Sequence, residues 1–322
     1  MTRFLIERVL LAVLVLWLVS VLVFVGCEIL PGDVAQLALG QYATPENVAA
    51  LRVQLGLDRP APERYVNWLV GMSRGDWGHS ITTKVPVATM LVERAGNTLR
   101  LAGTTTLVAV PLSIGLGLLM SLGTGGRVDR LGSIVVLGLS ATPEFLIGTL
   151  GVLLLAVKLH WFPAVSYLTP DSGLWATMKA LFLPVATLVI VVTAQIARMT
   201  RAIISDLLGQ PFAEMAMLKG NAPWRIVSVH ALIMAVGPIA NVVALNVAYL
   251  ISGVVVVETI FAYPGLARLM TDAVQARDMP IVQACAMIFS AAYVLLILLA
   301  DILANAFDVR GTTARHRGGT LS

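Results

Sequence analysis

Six long runs almost free of charge dominate this chain of 322 residues. Segments 9–27, 101–126, 180–197, 231–257 and 279–300 each hold 18 or more residues without Asp, Glu, Lys or Arg. A sixth, 131–157, is interrupted only by Glu144. A helix of about 20 apolar residues crosses the roughly 30 Å of hydrocarbon in a bilayer. The pattern predicts an all-α integral membrane protein with six transmembrane helices. Composition agrees, with 58% of residues hydrophobic and 12% charged, about half the charged share of a soluble domain.

Lys and Arg in short flanks set the orientation. With the N-terminus inside, the inner segments hold eleven: Arg3 and Arg8, Arg127 and Arg130, Arg198, Arg201, Lys219 and Arg225, then Arg310, Arg315 and Arg317. The two short outer loops hold four, Lys158, Lys179, Arg268 and Arg277. The long 31–98 segment carries six more, but long loops translocate largely regardless of charge. Both termini are therefore expected in the cytoplasm. The formal charge of +4 reflects this bias, and no basic run interleaved with aromatics suggests a nucleic-acid partner. Cys27 and Cys285 both fall inside spans, which argues for packing rather than a disulfide framework. A lipoprotein-type cleavage at Phe24-Val25-Gly26-Cys27 is disfavoured, because the apolar run exceeds a signal core and five further spans follow.

The expected organisation is a first transmembrane helix in 1–30, an extracytoplasmic segment in 31–98, a five-helix membrane core in 99–303 and a cytoplasmic tail in 304–322. The outer segment predicts two short helices. One starts at Thr44-Pro45-Glu46, where Thr44 caps and Pro45 fits the first helical position, and runs to Gly56. The other covers about 61–72, with Tyr65, Trp68 and Leu69 on one stripe. Trp68 and Trp77 also suit a membrane interface.

The cytoplasmic loop 204–230 does not read as a passive connector. Pro211 suits a helix start and Gly220 a stop, with Glu214 and Lys219 placed to match the helix dipole. Phe212, Met215 and Leu218 recur at i, i+3 and i+6, an apolar stripe on a helix outside the membrane that needs a cover. The protein's own helix ends, the lipid surface or a partner's groove all satisfy that need.

Residues 205–235 resemble the coupling loop of binding-protein-dependent ABC importer permeases. The family's Glu-Ala-Ala, three residues, then Gly stands here as Glu214-Met215-Ala216 and Gly220. The chain is more closely similar to the B-type permease of dipeptide and oligopeptide importers, through Leu218-Lys219-Gly220 followed by His230-Ala231-Leu232. The likeness spans nearly the whole chain. It includes Leu30-Pro31-Gly32-Asp33, Leu55-Gly56-Leu57-Asp58-Arg59-Pro60 and Arg74-Gly75-Asp76-Trp77-Gly78. It continues through Leu159-His160-Trp161-Phe162-Pro163, Ala197-Arg198-Met199-Thr200-Arg201, Val257-Glu258-Thr259-Ile260-Phe261-Ala262-Tyr263-Pro264-Gly265-Leu266 and Ala276-Arg277-Asp278-Met279-Pro280.

The resemblance implies the ABC type I importer permease fold in a bacterial cytoplasmic (inner) membrane, crossed several times. It implies a second homologous permease, one or two ABC ATPase subunits, an extracytoplasmic substrate-binding protein and surrounding lipid as partners. ATP and Mg would sit on the partner subunits, with no cofactor on this chain. Phe212, Glu214, Met215, Ala216, Leu218, Lys219, Gly220, Arg225 and His230 would form the ATPase-coupling loop. Ile233 and Met234 stand where the family usually has a basic residue and then Asn or Pro. Glu214 and Met217 replace basic residues, and Asp308-Val309-Arg310 replaces Asp-Pro-Arg. These departures bear on which ATPase docks.

Glu144, directly after Pro143, is the acid deepest in a span. A midplane carboxylate costs several kcal/mol against lipid, so both residues are candidates for a translocation pathway favouring cationic or N-terminal-amine substrates. A structural bond to a neighbouring helix is the competing reading. No catalytic residue is expected: there is no phosphate-cradling Gly-x-x-x-x-Gly-Lys-Ser/Thr, and His79, His160, His230 and His316 show no metal-ligand spacing. Peptides are the expected cargo, with nickel chelates, glutathione or oligosaccharides as alternatives in the same family. A self-sufficient secondary transporter would need repeated halves and paired membrane acids, and neither is visible.

Overall fold

The computed structural model describes residues 2–29, 34–54, 56–167 and 173–306. The motif Leu30-Pro31-Gly32-Asp33, Leu55, Pro170, Asp308-Val309-Arg310 and the tail 311–322 lie outside the described residues. Within them the chain forms thirteen α-helices. These are α1 (Thr2–Ile29), α2 (Val34–Leu39), α3 (Pro45–Gln54), α4 (Ala61–Ser73), α5 (Val87–Ser121), α6 (Arg127–Ala141) and α7 (Glu144–Gly151). They continue with α8 (Leu174–Leu208), α9 (Pro211–Leu218), α10 (Pro223–Arg225), α11 (Leu232–Ile260), α12 (Leu266–Gln275) and α13 (Met279–Ala306). π-helical turns extend α7 over Val152–Lys158 and join α10 to α11 over Ile226–Ala231.

Five helices are long and apolar enough to cross a membrane, at Leu5–Ile29, Val87–Ser121, Leu174–Leu208, Pro223–Ile251 and Met279–Ile302. The run 131–157, read from sequence as one span, is a pair of helices bent by 97°. The break falls at Thr142 and Pro143, both extended. Pro143 has no N–H to continue the helix and pushes Thr142 out of the helical region.

Two further helices depart from the sequence reading. Helix α5 begins at Val87, well before the apolar run at 101, and carries Glu93, Arg94, Asn97 and Arg100 in its first turns. Helix α12 occupies what reads as an outer loop. In both, tertiary packing rather than an unbroken apolar run holds the helix.

The chain divides into two compact units, Met1–Arg100 with Ala262–Val294, and Leu101–Phe261 with Leu295–Ser322. In the first, α3 and α4 stand where the caps and stripe predict. The α4 stripe meets α1: Tyr65 and Trp68 pack on Phe24, with ring centroids 5.4 and 6.0 Å away. Tyr65 hydroxyl also lies 2.8 Å from Ser20 Oγ, and Arg64 pairs with Glu28. A second cluster gathers Val87, Leu91, Leu266, Leu269, Ile281 and Cys285, with Trp77 packed against it.

Asp278 ties this cluster to the loop before α5. Its carboxylate is 1% exposed. It accepts from Ser80 Oγ at 2.5 Å, Ile81 N at 3.1 Å, Thr82 N at 3.2 Å and Thr82 Oγ1 at 2.9 Å. Arg277, with φ 57°, makes this possible by taking the left-handed position after α12. There Asp278 N donates to Ala273 O and Arg277 N to Val274 O, the Schellman closure.

In the second unit α8 is the central helix. Of its most apolar stretch 72% is buried, against 28% for the corresponding stretches of α5 and Pro223–Ile251. Helices α6, α7 and α11 all pack on it. Close approach depends on small residues, as expected where lipid supplies no hydrophobic drive between helices. A Cβ on Gly117 of α5 would lie 2.6 Å from Thr200 Cβ and 2.9 Å from Ala197 O of α8.

Candidate functional site

Helix α9 lies between the predicted ends. Gln210 is extended, Pro211 opens the helix, and Lys219 caps it ahead of Gly220. Gly220 has φ 79°, a conformation that costs a residue with a Cβ roughly 1–2 kcal/mol. Its N–H donates to Met217 O at 2.9 Å and Asn221 N–H to Ala216 O at 3.2 Å, again a Schellman closure. Asn221 Nδ2 adds a bond to Ala216 O at 3.1 Å.

The face that α9 buries differs from the stripe read from sequence. Ala213 and Ala216 are buried and pack with Ile226, Leu208 and the half-buried Phe212. Met215 and Leu218 point away and are 54% and 76% exposed. Two alanines seat the helix closely on the end of α8 and the π-helical turn, and leave the larger side chains outside. Met217, Trp224, Ile233 and Met234 are exposed as well. Glu214, Lys219 and Arg225 are exposed. His230 is half-buried, its Nδ1 3.4 Å from Arg225 O. The π-helical turn under α9 is of a kind common at functional sites.

Sequence reasoning passed over Asp129, an acid in a short turn read only for its arginines. It is 3% exposed. Arg201 Nε donates to Oδ1 at 2.6 Å and Nη2 to Oδ2 at 2.8 Å, a bidentate pair between α6 and α8. Gly125 N–H donates to Oδ2 at 2.8 Å. The hydrogen bond from Arg201 is the main reason the carboxyl titrates low, at about 2, and burial opposes it. The clamp fixes the half of α8 that leads into α9.

Pro143 is exposed at the break between α6 and α7, and Glu144 opens α7 half-buried. Its carboxylate lies against α11 at Gly253. The loop residues 212–230 thus gather at one end of this unit, while Glu144 sits apart among the helices α7, α8 and α11.

The family described as the binding-protein-dependent transport system inner membrane component matches residues 113–311, more than half of the chain. This chain belongs to that family. Residues 1–102 match the N-terminal part described for the membrane component of the same systems. The permease is 34% identical over 308 residues to a probable peptide ABC transporter permease of Sinorhizobium fredii, covering 95% of this chain and 98% of the relative. It is 33% identical over 311 residues to a putative peptide transport system permease of Brucella abortus, covering 96% and 99%. It is also 33% identical over 308 residues to the glutathione transport system permease GsiC of Escherichia coli, covering 96% and 98%. The permease is a multi-pass inner-membrane subunit of an ABC importer. That membership decides against the self-sufficient secondary transporter.

Proposed function

We propose that this permease carries di- or oligopeptides handed over by an extracytoplasmic binding protein, and that α9 docks in a separate ATPase. The observation that carries the docking is the division of α9. Ala213 and Ala216 are buried under it, and Met215, Met217 and Leu218 are exposed on a helix that α8 and the π-helical turn hold rigidly. Large apolar side chains on such a helix mark an interaction surface. Glu214, Lys219, Arg225 and His230 rim that surface. Peptide cargo follows from the relatives: those of Sinorhizobium fredii and Brucella abortus are named for peptides, and glutathione is itself a tripeptide.

The topology in this reading is six spans of the type I importer fold, the bent pair α6 and α7 counting as one, with both termini cytoplasmic. Segment 31–98 is extracytoplasmic, 99–303 is the membrane core with the coupling loop 204–230, and 304–322 is a cytoplasmic tail. A second permease completes the pathway, and ATP and Mg bind only the one or two ATPase subunits. Pro143 and Glu144 line the pathway, because a half-open carboxylate at membrane depth is too costly to face lipid.

The test is uptake of trialanine into proteoliposomes. The full set of subunits with binding protein should transport only when ATP is supplied. This chain alone should neither hydrolyse ATP nor transport. Uptake by the chain alone down an ion gradient overturns the reading.

A further inference from the structure

Gly253 of α11 is a glycine for which the backbone has no need. It is buried inside a regular helix and is absent from the residues with left-handed φ. Alanine at a helix interior is favoured over glycine by roughly 1 kcal/mol. What an extra carbon would do is push the Glu144 carboxylate aside. A Cβ there would lie 2.8 Å from Glu144 Oε2, 3.6 Å from Glu144 Cδ and 3.4 Å from Leu188 Cδ2. The Glu144 carboxylate fills the space that any other residue at 253 would occupy.

Glu144 also lacks a basic neighbour among the described residues. It opens α7 directly after Pro143, at the helix end where the backbone N–H groups are free. Among the described residues no Lys, Arg or His forms an ion pair with it. The side chain remains partly open. An acid at this depth, seated on one side and open on the other, lacks one component: a cation.

We propose that Glu144, seated against Gly253, is the binding site for a primary ammonium group of the transported substrate, with Gly253 as the positioning residue that sets where the carboxylate stands. This rests on the placement of Glu144 in the pathway. The ammonium can come from a peptide N-terminus or from a lysine side chain, which share the same chemistry. In either case its N–H groups donate to the carboxylate, a charge-assisted bond that strengthens away from water.

The experiment uses the complete transporter with the wild-type binding protein throughout, so that differences between variants belong to the permease. Uptake of trialanine, N-acetyl-trialanine and N-acetyl-Lys-Ala-Ala is measured, and the affinity of the binding protein for each probe is determined separately. Glu144→Gln should lower kcat/KM for trialanine about tenfold and leave N-acetyl-trialanine unchanged. Gly253→Ala should lower trialanine uptake by a similar factor although the carboxylate is still present. Adding Glu144→Asp, one methylene shorter, to Gly253→Ala should restore at least half of the loss. A merely structural role for Gly253 would give no such rescue.

Gly253→Ala behaving as wild type while Glu144→Gln loses uptake overturns the positioning role and leaves the pathway reading standing. Glu144→Gln behaving as wild type overturns both, with ATP-dependent transport itself untouched. Equal loss in Gly253→Ala and the double variant, with less ATPase co-purifying, makes the contact one of packing and overturns the site. N-acetyl-Lys-Ala-Ala handled like trialanine supports the site with the side chain as source of the ammonium. Handled like N-acetyl-trialanine, it supports the site with the N-terminus as source.

Discussion

Arg201 grips both oxygens of Asp129, from 2.6 and 2.8 Å, across 72 residues of sequence. The pair joins the start of α6 to the stretch of α8 that leads into α9. Replacing Asp129 with Asn removes the charge but keeps the shape. With Arg201 about a third exposed, the loss should be about 2 kcal/mol. It would read as a lower melting temperature of the purified subunit in detergent.

The same pair has a pH signature. The Asp129 carboxyl is lowered from 3.8 to about 2 in the folded chain. The unfolded chain therefore takes up this proton first as pH falls. The stabilisation is complete above about pH 4 and declines as pH drops toward 2. Thermal melts of wild type and Asp129→Asn should differ at pH 6 and converge only as pH falls to about 2.

Asp278 accepts four hydrogen bonds from Ser80, Ile81 and Thr82. Asparagine offers one acceptor oxygen and turns an amide N–H toward donors. Asp278→Asn should cost about 2–3 kcal/mol, seen as faster proteolysis in the segment around 78–86. Glu at the same position should fail similarly, because the pocket has no room for the added methylene at 1% exposure.

The two faces of α9 should respond oppositely. Ala216→Leu forces bulk into the buried contact with Ile226 and should destabilise the subunit by about 1–3 kcal/mol. Leu218→Ser changes a side chain that is 76% exposed. It should leave the melting temperature within about 0.5 kcal/mol equivalent and reduce co-purification of the ATPase.

Gly220→Val places a β-branched residue at φ 79°. The Schellman closure should open and the end of α9 should fray, at a cost of about 2 kcal/mol or more. Uptake should fall, through either loss of the ATPase or ATP hydrolysis without transport. Normal uptake with normal co-purification would contradict the assignment of α9.

Much of this was legible in the chain because bilayer thickness and backbone chemistry leave few solutions. Charge-free runs marked the spans, Pro211 and Gly220 marked α9, and Thr44 and Pro45 marked α3. The bend at Pro143 was not legible, since an apolar run has the same composition straight or broken. Helix α12 and the first turns of α5 were hidden because polar residues on a packed helix look like a loop. The buried face of α9 was not legible for a related reason: alanine is too small to stand out in an apolar stripe, yet close packing selects it. Asp129 with Arg201, and Glu144 with Gly253, are long-range pairs that no local pattern announces.

The docking of α9 on the ATPase is tested most directly by cross-linking in native membranes. Met215→Cys, on a background with Cys27 and Cys285 replaced by Ala, should form a cross-link to the ATPase with a short bismaleimide. The same reagent should give none from Val66→Cys on α4. A cross-link from α4 and none from α9 would contradict the account.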